Sequence, residues 1–64
     1  FVVNINTATI DELEKLPNIG RKLGAKIVAH RERHGPFRRV EHLLLVDGIS
    51  EERFVRLRAL VKIE

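Results

Sequence analysis

A short basic segment near position 20 has the residue types of an anion-binding turn. Gly20 precedes a predicted helix, and Arg21 and Lys22 follow it directly. The first backbone N–H groups of a helix have no acceptor within the helix, and the positive end of the helix dipole lies behind them. Because glycine carries no side chain, a phosphate oxygen can approach these N–H groups closely. We therefore predict a phosphate site that comprises Asn18, Ile19, Gly20, Arg21, Lys22 and Lys26.

Backbone and side-chain donors have separate roles in this predicted site. The backbone amides of Ile19, Gly20 and Lys22 are expected to donate to the phosphate. The side chains of Arg21, Lys22 and Lys26 are expected to surround it. Contacts of this kind position a protein on a nucleic-acid backbone and read no bases, so we predict DNA binding with little sequence preference.

The distribution of charge favours a polyanionic partner. The formal net charge is +3, but residues 15–39 carry eight basic residues against Glu32 alone, whereas residues 1–14 and 40–64 are each net acidic. A local excess of this kind attracts nucleic acid first and anionic membrane second. Diffuse attraction is expected from Arg31, Arg33, Arg38 and Arg39. The competing interpretation is an ordinary soluble surface, since 33% of the residues are charged.

An internal repeat positions the basic turn, because the apolar pattern recurs thirty residues later. The first copy is Ile10, Leu13, Leu16 and Ile19, and the second is Val40, Leu43, Val46 and Ile49. Each copy leads into a turn between two helices, where Asn18 and Gly48 are expected to be left-handed. We predict one compact all-α domain over residues 1–64, with four to five short helices. Its first motif covers about 10–34, its second covers about 40–63, and an approximate two-fold axis relates them.

Local signals place the helices. Thr9 and Glu12 form a capping box that starts the first helix, and Pro17 ends that helix after Leu16. Residues 1–6 are expected to be an extended or irregular lead-in, and no sheet is predicted. The other helices are predicted from Gly20 to about His34, in a short stretch after Val40, and from the cap Ser50 onward with Phe54, Leu57 and Leu60 or Val61 buried.

The composition argues against several function classes. There is no cysteine, no recognisable nucleophile–base pair, and little room in 64 residues for a ligand pocket, so neither catalysis nor a cofactor is predicted. His30 and His34 have a spacing that can bind zinc, but a third ligand is lacking and no metal site is predicted. No apolar run approaches the roughly 20 residues of a membrane span. Because the chain begins at Phe1, we expect a segment of a longer or processed protein.

Taken in order along the chain, these motifs resemble the helix-hairpin-helix module of ComEA-type competence DNA receptors. The matching positions are 3–9, Leu13, 16–20, Ile27, Val28, Arg31, 35–37, 40–43 and 46–49. The resemblance implies a tandem helix-hairpin-helix domain of SAM-like type, whose two hairpins straddle a DNA minor groove and grip both phosphate backbones. It is less specific to a pathway, because similar modules occur in a chromosome-binding kinesin, in endonuclease/exonuclease/phosphatase family proteins and in DNA repair factors.

Three positions depart from the family pattern. Asn18 replaces a glycine, and Gly24 replaces a small alanine; both changes keep the local geometry possible. Ser50 replaces the last glycine of the second hairpin, and Glu51 and Glu52 follow it. A serine that caps its own helix competes with a phosphate for the N–H groups, and two carboxylates repel it. The second hairpin, with Gly48, Ile49, Ser50 and Arg53, is therefore predicted to be structural or a weak DNA contact.

The leading hypothesis is a non-catalytic DNA-binding module that uses its first hairpin, as in competence and DNA-uptake proteins. One alternative is a protein-interaction or scaffolding domain, in which the acidic second hairpin and Leu45 meet a partner. Another is the targeting module of a larger DNA repair or nuclease protein. A competence receptor would place the segment in the cell envelope or outside the cell, and a repair module would place it in the cytoplasm or nucleus.

Overall fold

The computed structural model describes all 64 residues. Most of the regular backbone is helical, and the domain measures 24 × 22 × 21 Å along its principal axes. The prediction of a compact, mainly helical fold is confirmed. In chain order the elements are β1 (Val3–Asn4), α1 (Ile10–Leu13), α2 (Arg21–His34), a first 3₁₀ helix (Val40–Leu45), α3 (Glu51–Leu57), a second 3₁₀ helix (Arg58–Leu60) and β2 (Val61–Lys62).

The capping box that starts α1 forms as predicted. The Thr9 hydroxyl accepts a hydrogen bond from the Glu12 amide at 3.2 Å, and the Glu12 carboxylate accepts one from the Thr9 amide at 2.9 Å. α1 ends at Leu13 rather than at Leu16, because the Leu16 amide donates to the carbonyl three residues earlier and tightens the last turn. α1 packs on α2 at Gly24, which is buried beneath it.

The two turns between helices repeat the same backbone hydrogen bond. In each, the amide of a buried isoleucine, Ile19 or Ile49, donates to the carbonyl three residues earlier, at 3.2 and 3.1 Å. The residue before the isoleucine is left-handed in both turns, with φ of 62° at Asn18 and 102° at Gly48. The left-handed conformations expected from the sequence are therefore present.

The two ends of the chain pair with each other, and the prediction of no sheet was wrong. β1 and β2 form a parallel ladder in which Val3 pairs with Val61 and Asn4 with Lys62. The Ile5 amide extends the ladder by donating to the Lys62 carbonyl at 2.9 Å. Val61 is buried as expected, but it lies on a strand after α3 has ended. The strands form because the two ends of the chain are close in the fold, where the backbone N–H and C=O groups of each end hydrogen-bond with those of the other.

A single asparagine fastens these ends to the loop that follows α2. The Asn6 side-chain oxygen accepts from the Phe37 amide at 2.7 Å. Its side-chain nitrogen donates to the carbonyls of Phe37 and Ile63, at 2.9 and 3.2 Å. Arg31 of α2 adds a further tie, since its guanidinium donates to the Ile5 carbonyl at 2.9 Å. These bonds hold the C-terminal half of α2 in place.

One hydrophobic core underlies both turns, and no polar side chain is fully buried in it. The repeated spacing in the sequence corresponds to this core, because the last three apolar residues of each copy are buried, and the first, Ile10 or Val40, is half-buried. None of the helices is long and apolar enough to cross a membrane. The buried members are Val3, Ile5, Ala8, Leu13, Leu16, Ile19, Ile27, Phe37, Leu43, Val46, Ile49, Phe54, Leu57 and Val61.

Candidate nucleic-acid interface

Among the three α-helices, only α2 starts without a side-chain cap. Gly20 is its N-cap residue, in an extended conformation with φ −86° and ψ 179°, and no side chain caps the helix. Nothing lies within 4 Å of the position that a Cβ on Gly20 would take. An approaching oxyanion therefore meets no side chain from Gly20 itself. This geometry agrees with the expectation that Gly20 leaves room for close approach to the N–H groups of α2.

The backbone donors around Gly20 divide into one that is engaged and several that are free. The Ile19 amide donates to the Leu16 carbonyl at 3.2 Å, so it closes the turn and is not available to a phosphate. The amides of Gly20, Arg21 and Lys22 donate to no group of the chain. The expected use of the Ile19 amide is therefore corrected, because the hydrogen bond that shapes the turn already occupies it.

Arg21 is paired with acidic side chains of the first motif. Its guanidinium Nη1 contacts the carboxylates of Asp11 at 2.8 Å and Glu14 at 2.5 Å. The hydrogen bond and charge of Asp11, followed by those of Glu14, raise the pKa of Arg21 above its ordinary value. Sequence reasoning missed this pairing, although the acidic character of residues 1–14 was a signal for it. Arg21 thus lies at the site with its single charge more than compensated by two carboxylates.

The two lysines of the predicted site differ in their surroundings. Lys22 is exposed and has no ion-pair partner in the chain. Lys26 lies one turn further along α2, and its Nζ is 3.3 Å from the Asp47 carboxylate of the second turn. Surface ion pairs of this kind contribute about 1 kcal/mol or less to stability, so Lys26 can leave Asp47 and pair with another anion at little cost. Of the three basic side chains of the predicted site, only Lys22 lacks an acidic partner.

The start of α3 is capped where the start of α2 is not. The Ser50 hydroxyl accepts from the Arg53 amide at 3.2 Å, as the sequence predicted. Glu51 and Glu52 occupy the first turn of this seven-residue helix. The cap uses one amide donor, and the two carboxylates add negative charge beside the others. The first turn of α3 therefore has a side-chain cap and two carboxylates, whereas the first turn of α2 has neither.

Each helix start also contacts the turn of the other motif. The Arg53 guanidinium donates to the Asn18 carbonyl at 2.8 Å. Thirty residues earlier, Leu23 of α2 packs over Gly48, where an added Cβ would lie 3.0 Å from the Leu23 Cδ1. Arg53, which the sequence placed in the second hairpin as a weak or structural contact, therefore braces the tip of the first hairpin. No local pattern signals this contact, because it joins residues far apart in the chain.

The remaining basic and histidine side chains have varied environments. Arg31 is a structural tie to Ile5, and its positive charge has no acidic partner, so the expected diffuse attraction stays a prediction. The ring of His30 stacks on the ring of Phe37, with centroids 5.1 Å apart and an interplanar angle of 9°. The centroid of the His34 ring lies 4.6 Å from that of His30. Burial, followed by the charges of His34 and His42, lowers the pKa of His30.

Two turns of one type, each between short helices, with an uncapped helix start beside the first, define a helix-hairpin-helix domain. A family model described as the helix-hairpin-helix motif matches residues 2–62, which is nearly the whole chain. The chain therefore belongs to the helix-hairpin-helix family, as the sequence resemblance implied.

Particular relatives are longer proteins that carry a similar segment. ComE operon protein 1 of Bacillus subtilis is 35% identical over 63 residues, which cover 98% of this chain and 31% of that protein. Endonuclease/exonuclease/phosphatase family domain-containing protein 1 of Rattus norvegicus is 45% identical over 56 residues, 88% of this chain and 10% of that protein. A Haemophilus influenzae protein is 50% identical over 50 residues, 77% of this chain and 45% of that protein. The chain thus spans less than half the length of each.

Proposed function

We propose that this chain is a non-catalytic module that binds duplex DNA with little sequence preference, through a backbone phosphate at the first hairpin. The observation that carries the proposal is the uncapped start of α2, where the amides of Gly20, Arg21 and Lys22 have no acceptor in the chain. The exposed Lys22 stands beside them without an acidic partner. Helix starts of this kind suit phosphate, and phosphate contacts are independent of base sequence.

The proposed arrangement on DNA is asymmetric. The two hairpins, related by an approximate two-fold axis, lie over one minor groove, and the first hairpin makes the main contact to one strand. The second hairpin contributes little, because Ser50 caps its helix and Glu51 and Glu52 repel phosphate. Few phosphates are neutralised by one hairpin, so we expect a dissociation constant on the order of 10⁻⁴ to 10⁻⁶ M.

The relatives support two settings for such a module. The likeness to ComE operon protein 1 covers almost the whole chain and favours a role within a competence or DNA-uptake protein. The likeness to the endonuclease/exonuclease/phosphatase family protein covers only a tenth of that protein, and favours a role in targeting a larger nuclease or repair protein to DNA. Both settings use the same phosphate contact. A protein partner at the second hairpin stays a prediction.

The decisive experiment compares two charge reversals, Lys22→Glu at the proposed site and Lys62→Glu on β2. Both substitutions lower the net charge equally, and both positions are exposed. At Lys22 an attraction of ~1 kcal/mol at contact distance in water becomes a repulsion of similar size, a change of roughly 2 kcal/mol or about thirtyfold in affinity. We expect Lys62→Glu to weaken binding at most about threefold, through the long-range field that salt screens.

Fluorescence anisotropy with labelled duplexes of unrelated sequence, at several salt concentrations, measures these affinities. The parent chain should bind all duplexes similarly, and its logarithmic salt slope should become shallower by about 1 in Lys22→Glu. Strong preference for one duplex, or salt-independent binding, contradicts the proposal. Equal losses in the two variants would show that diffuse charge, not the first hairpin, holds the DNA.

A further inference from the structure

A groove lies between α2 and the segment that leads into the second turn, away from the first hairpin. It consists of two adjoining depressions of about 320 and 170 Å³, which share His30, His34 and Leu45. The groove follows one face of α2 from Lys26 to His34, since residues three and four apart on a helix are neighbours. At 1.5 Å per residue, this face is about 12 Å long. We call it the α2 groove.

The floor of the α2 groove is apolar and one of its side chains is unusually exposed. Ala29 of α2 and Leu45 and Val46 of the opposite segment line the larger depression. Leu45 is 68% exposed, although it belongs to a 3₁₀ helix whose Leu43 is fully buried. The stacked rings of Phe37 and His30 line the smaller depression. Leu45 lines both depressions, so its exposed side chain is available to an apolar group that enters the groove.

The rim of the α2 groove is basic. Arg33 and Arg38 line it, and neither has an ion-pair partner in the chain. Its one acidic residue, Asp47, is already paired with Lys26 at 3.3 Å. The charge that the groove offers to a partner is therefore positive, around a hydrophobic centre. Complementary charge steers partners to such a surface and fixes their register.

The α2 groove shares Lys26 with the phosphate site, and the rest of the groove extends along α2 away from Gly20. Arg33 lies thirteen residues after Gly20 on the same helix, which places it roughly 20 Å along the axis. The exposed side chain of Lys22 does not line the groove. A partner that meets Arg33 and Arg38 therefore leaves Gly20 and Lys22 accessible to DNA.

We propose that the α2 groove is a docking site for a short acidic peptide segment with one apolar anchor residue. The anchor packs on Leu45 and Val46, and flanking carboxylates meet Arg33 and Arg38. This occupant fits better than a second DNA backbone, because phosphates gain nothing from an apolar floor, whereas peptide interfaces combine an apolar centre with a polar rim. The groove is open to solvent, whereas a cofactor site encloses most of the surface of its ligand.

The probe for this site is a library of random twelve-residue peptides displayed on phage and selected on the intact chain. Enriched peptides are synthesised with a fluorescent label and titrated against the parent and two variants, Leu45→Glu and Val55→Glu. The variants form a matched pair, since Leu45 is 68% and Val55 is 63% exposed, and each gains one negative charge. Of these two residues, Leu45 lines the groove and Val55 does not. Exposed positions of this kind tolerate substitution without loss of the fold.

We expect enriched peptides to carry aspartate or glutamate around a leucine, isoleucine or phenylalanine. Their affinity should fall at least tenfold in Leu45→Glu and less than twofold in Val55→Glu, while both variants bind duplex DNA alike. Absence of enrichment, enrichment of peptides without acidic residues, or equal binding to the two variants would each overturn the proposal. A loss of duplex affinity confined to Leu45→Glu would instead make the groove a nucleic-acid surface. The Lys22→Glu variant tests DNA binding by the first hairpin alone. Its result does not bear on whether peptides bind the α2 groove.

Discussion

Replacement of Gly20 by aspartate acts in opposite directions on the stability of the domain and on its affinity for DNA. The position accepts a side chain, because its backbone is extended and a Cβ would meet nothing within 4 Å. Aspartate is among the preferred N-cap residues, since its carboxylate accepts the free amides of the first turn. The same carboxylate then occupies the place where a phosphate oxygen is proposed to lie.

The gain in stability is expected to be small but measurable. Aspartate improves on glycine as an N-cap residue by a few tenths of a kcal/mol, and its charge at the helix start adds roughly 0.3–1 kcal/mol at low salt. A total of roughly 0.5–1.3 kcal/mol raises the melting temperature by about 2–10 °C in a domain of this size. Gly20→Asp should therefore fold at least as well as the parent chain.

The loss of affinity is expected to be much larger. A carboxylate about 4 Å from a phosphate costs ~1 kcal/mol in water and up to ~4 kcal/mol near a protein surface. Each amide that turns from the phosphate to the new cap removes a further 0.5–1.5 kcal/mol or so. A total of roughly 2–3 kcal/mol corresponds to about a thirtyfold to 150-fold weaker complex, at 1.4 kcal/mol per factor of ten.

Thermal melting followed by circular dichroism and duplex titration by anisotropy measure the two effects on the same samples. Gly20→Ser is the matched control, because it caps the helix as Ser50 caps α3 but adds no charge. We expect Gly20→Ser to bind more weakly than the parent and more tightly than Gly20→Asp. A folded Gly20→Asp chain with the affinity of the parent would refute the reasoning, because the start of α2 would then not be the phosphate site.

Two further predictions concern the packing around the C-terminal half of α2. Asn6→Ala removes three hydrogen bonds to Phe37 and Ile63. It should lower the free energy of unfolding, measured by urea titration, by roughly 2–4 kcal/mol, since each part-buried polar group left without a partner costs about 1–3 kcal/mol. A decrease below about 0.5 kcal/mol would contradict the role of Asn6. Burial and neighbouring histidines lower the pKa of His30 from 6.5, so the folded chain binds fewer protons than the unfolded chain. The uncharged His30 ring therefore favours the folded state above pH 6.5, and this contribution to stability is lost as the pH falls from 6.5 toward the pKa of the folded state. The fall in melting temperature between about pH 7.5 and 5.5 should be smaller in His30→Phe, which keeps the stack on Phe37, and an unchanged fall would exclude His30 as the titrating group.

Local features of this domain follow from the sequence because they depend on neighbours a few residues away. Thr9 and Glu12 cap each other across three residues, and the left-handed conformations of Asn18 and Gly48 are accessible to few other residue types. The uncapped start of α2 follows in the same way from Gly20. These short-range preferences were sufficient to place the turns and the proposed phosphate site.

Long-range pairings were decided only by the tertiary structure. A valine near each end favours an extended backbone, but nothing in either segment specifies that Val3 pairs with Val61. Similarly, the sequence does not distinguish an arginine that is free from one that is engaged. Arg21 is held by two carboxylates of the first motif, and Arg53 donates to the Asn18 carbonyl. A guanidinium has the same reach and donors wherever it occurs, so its partner is set by which segments the packed core brings together.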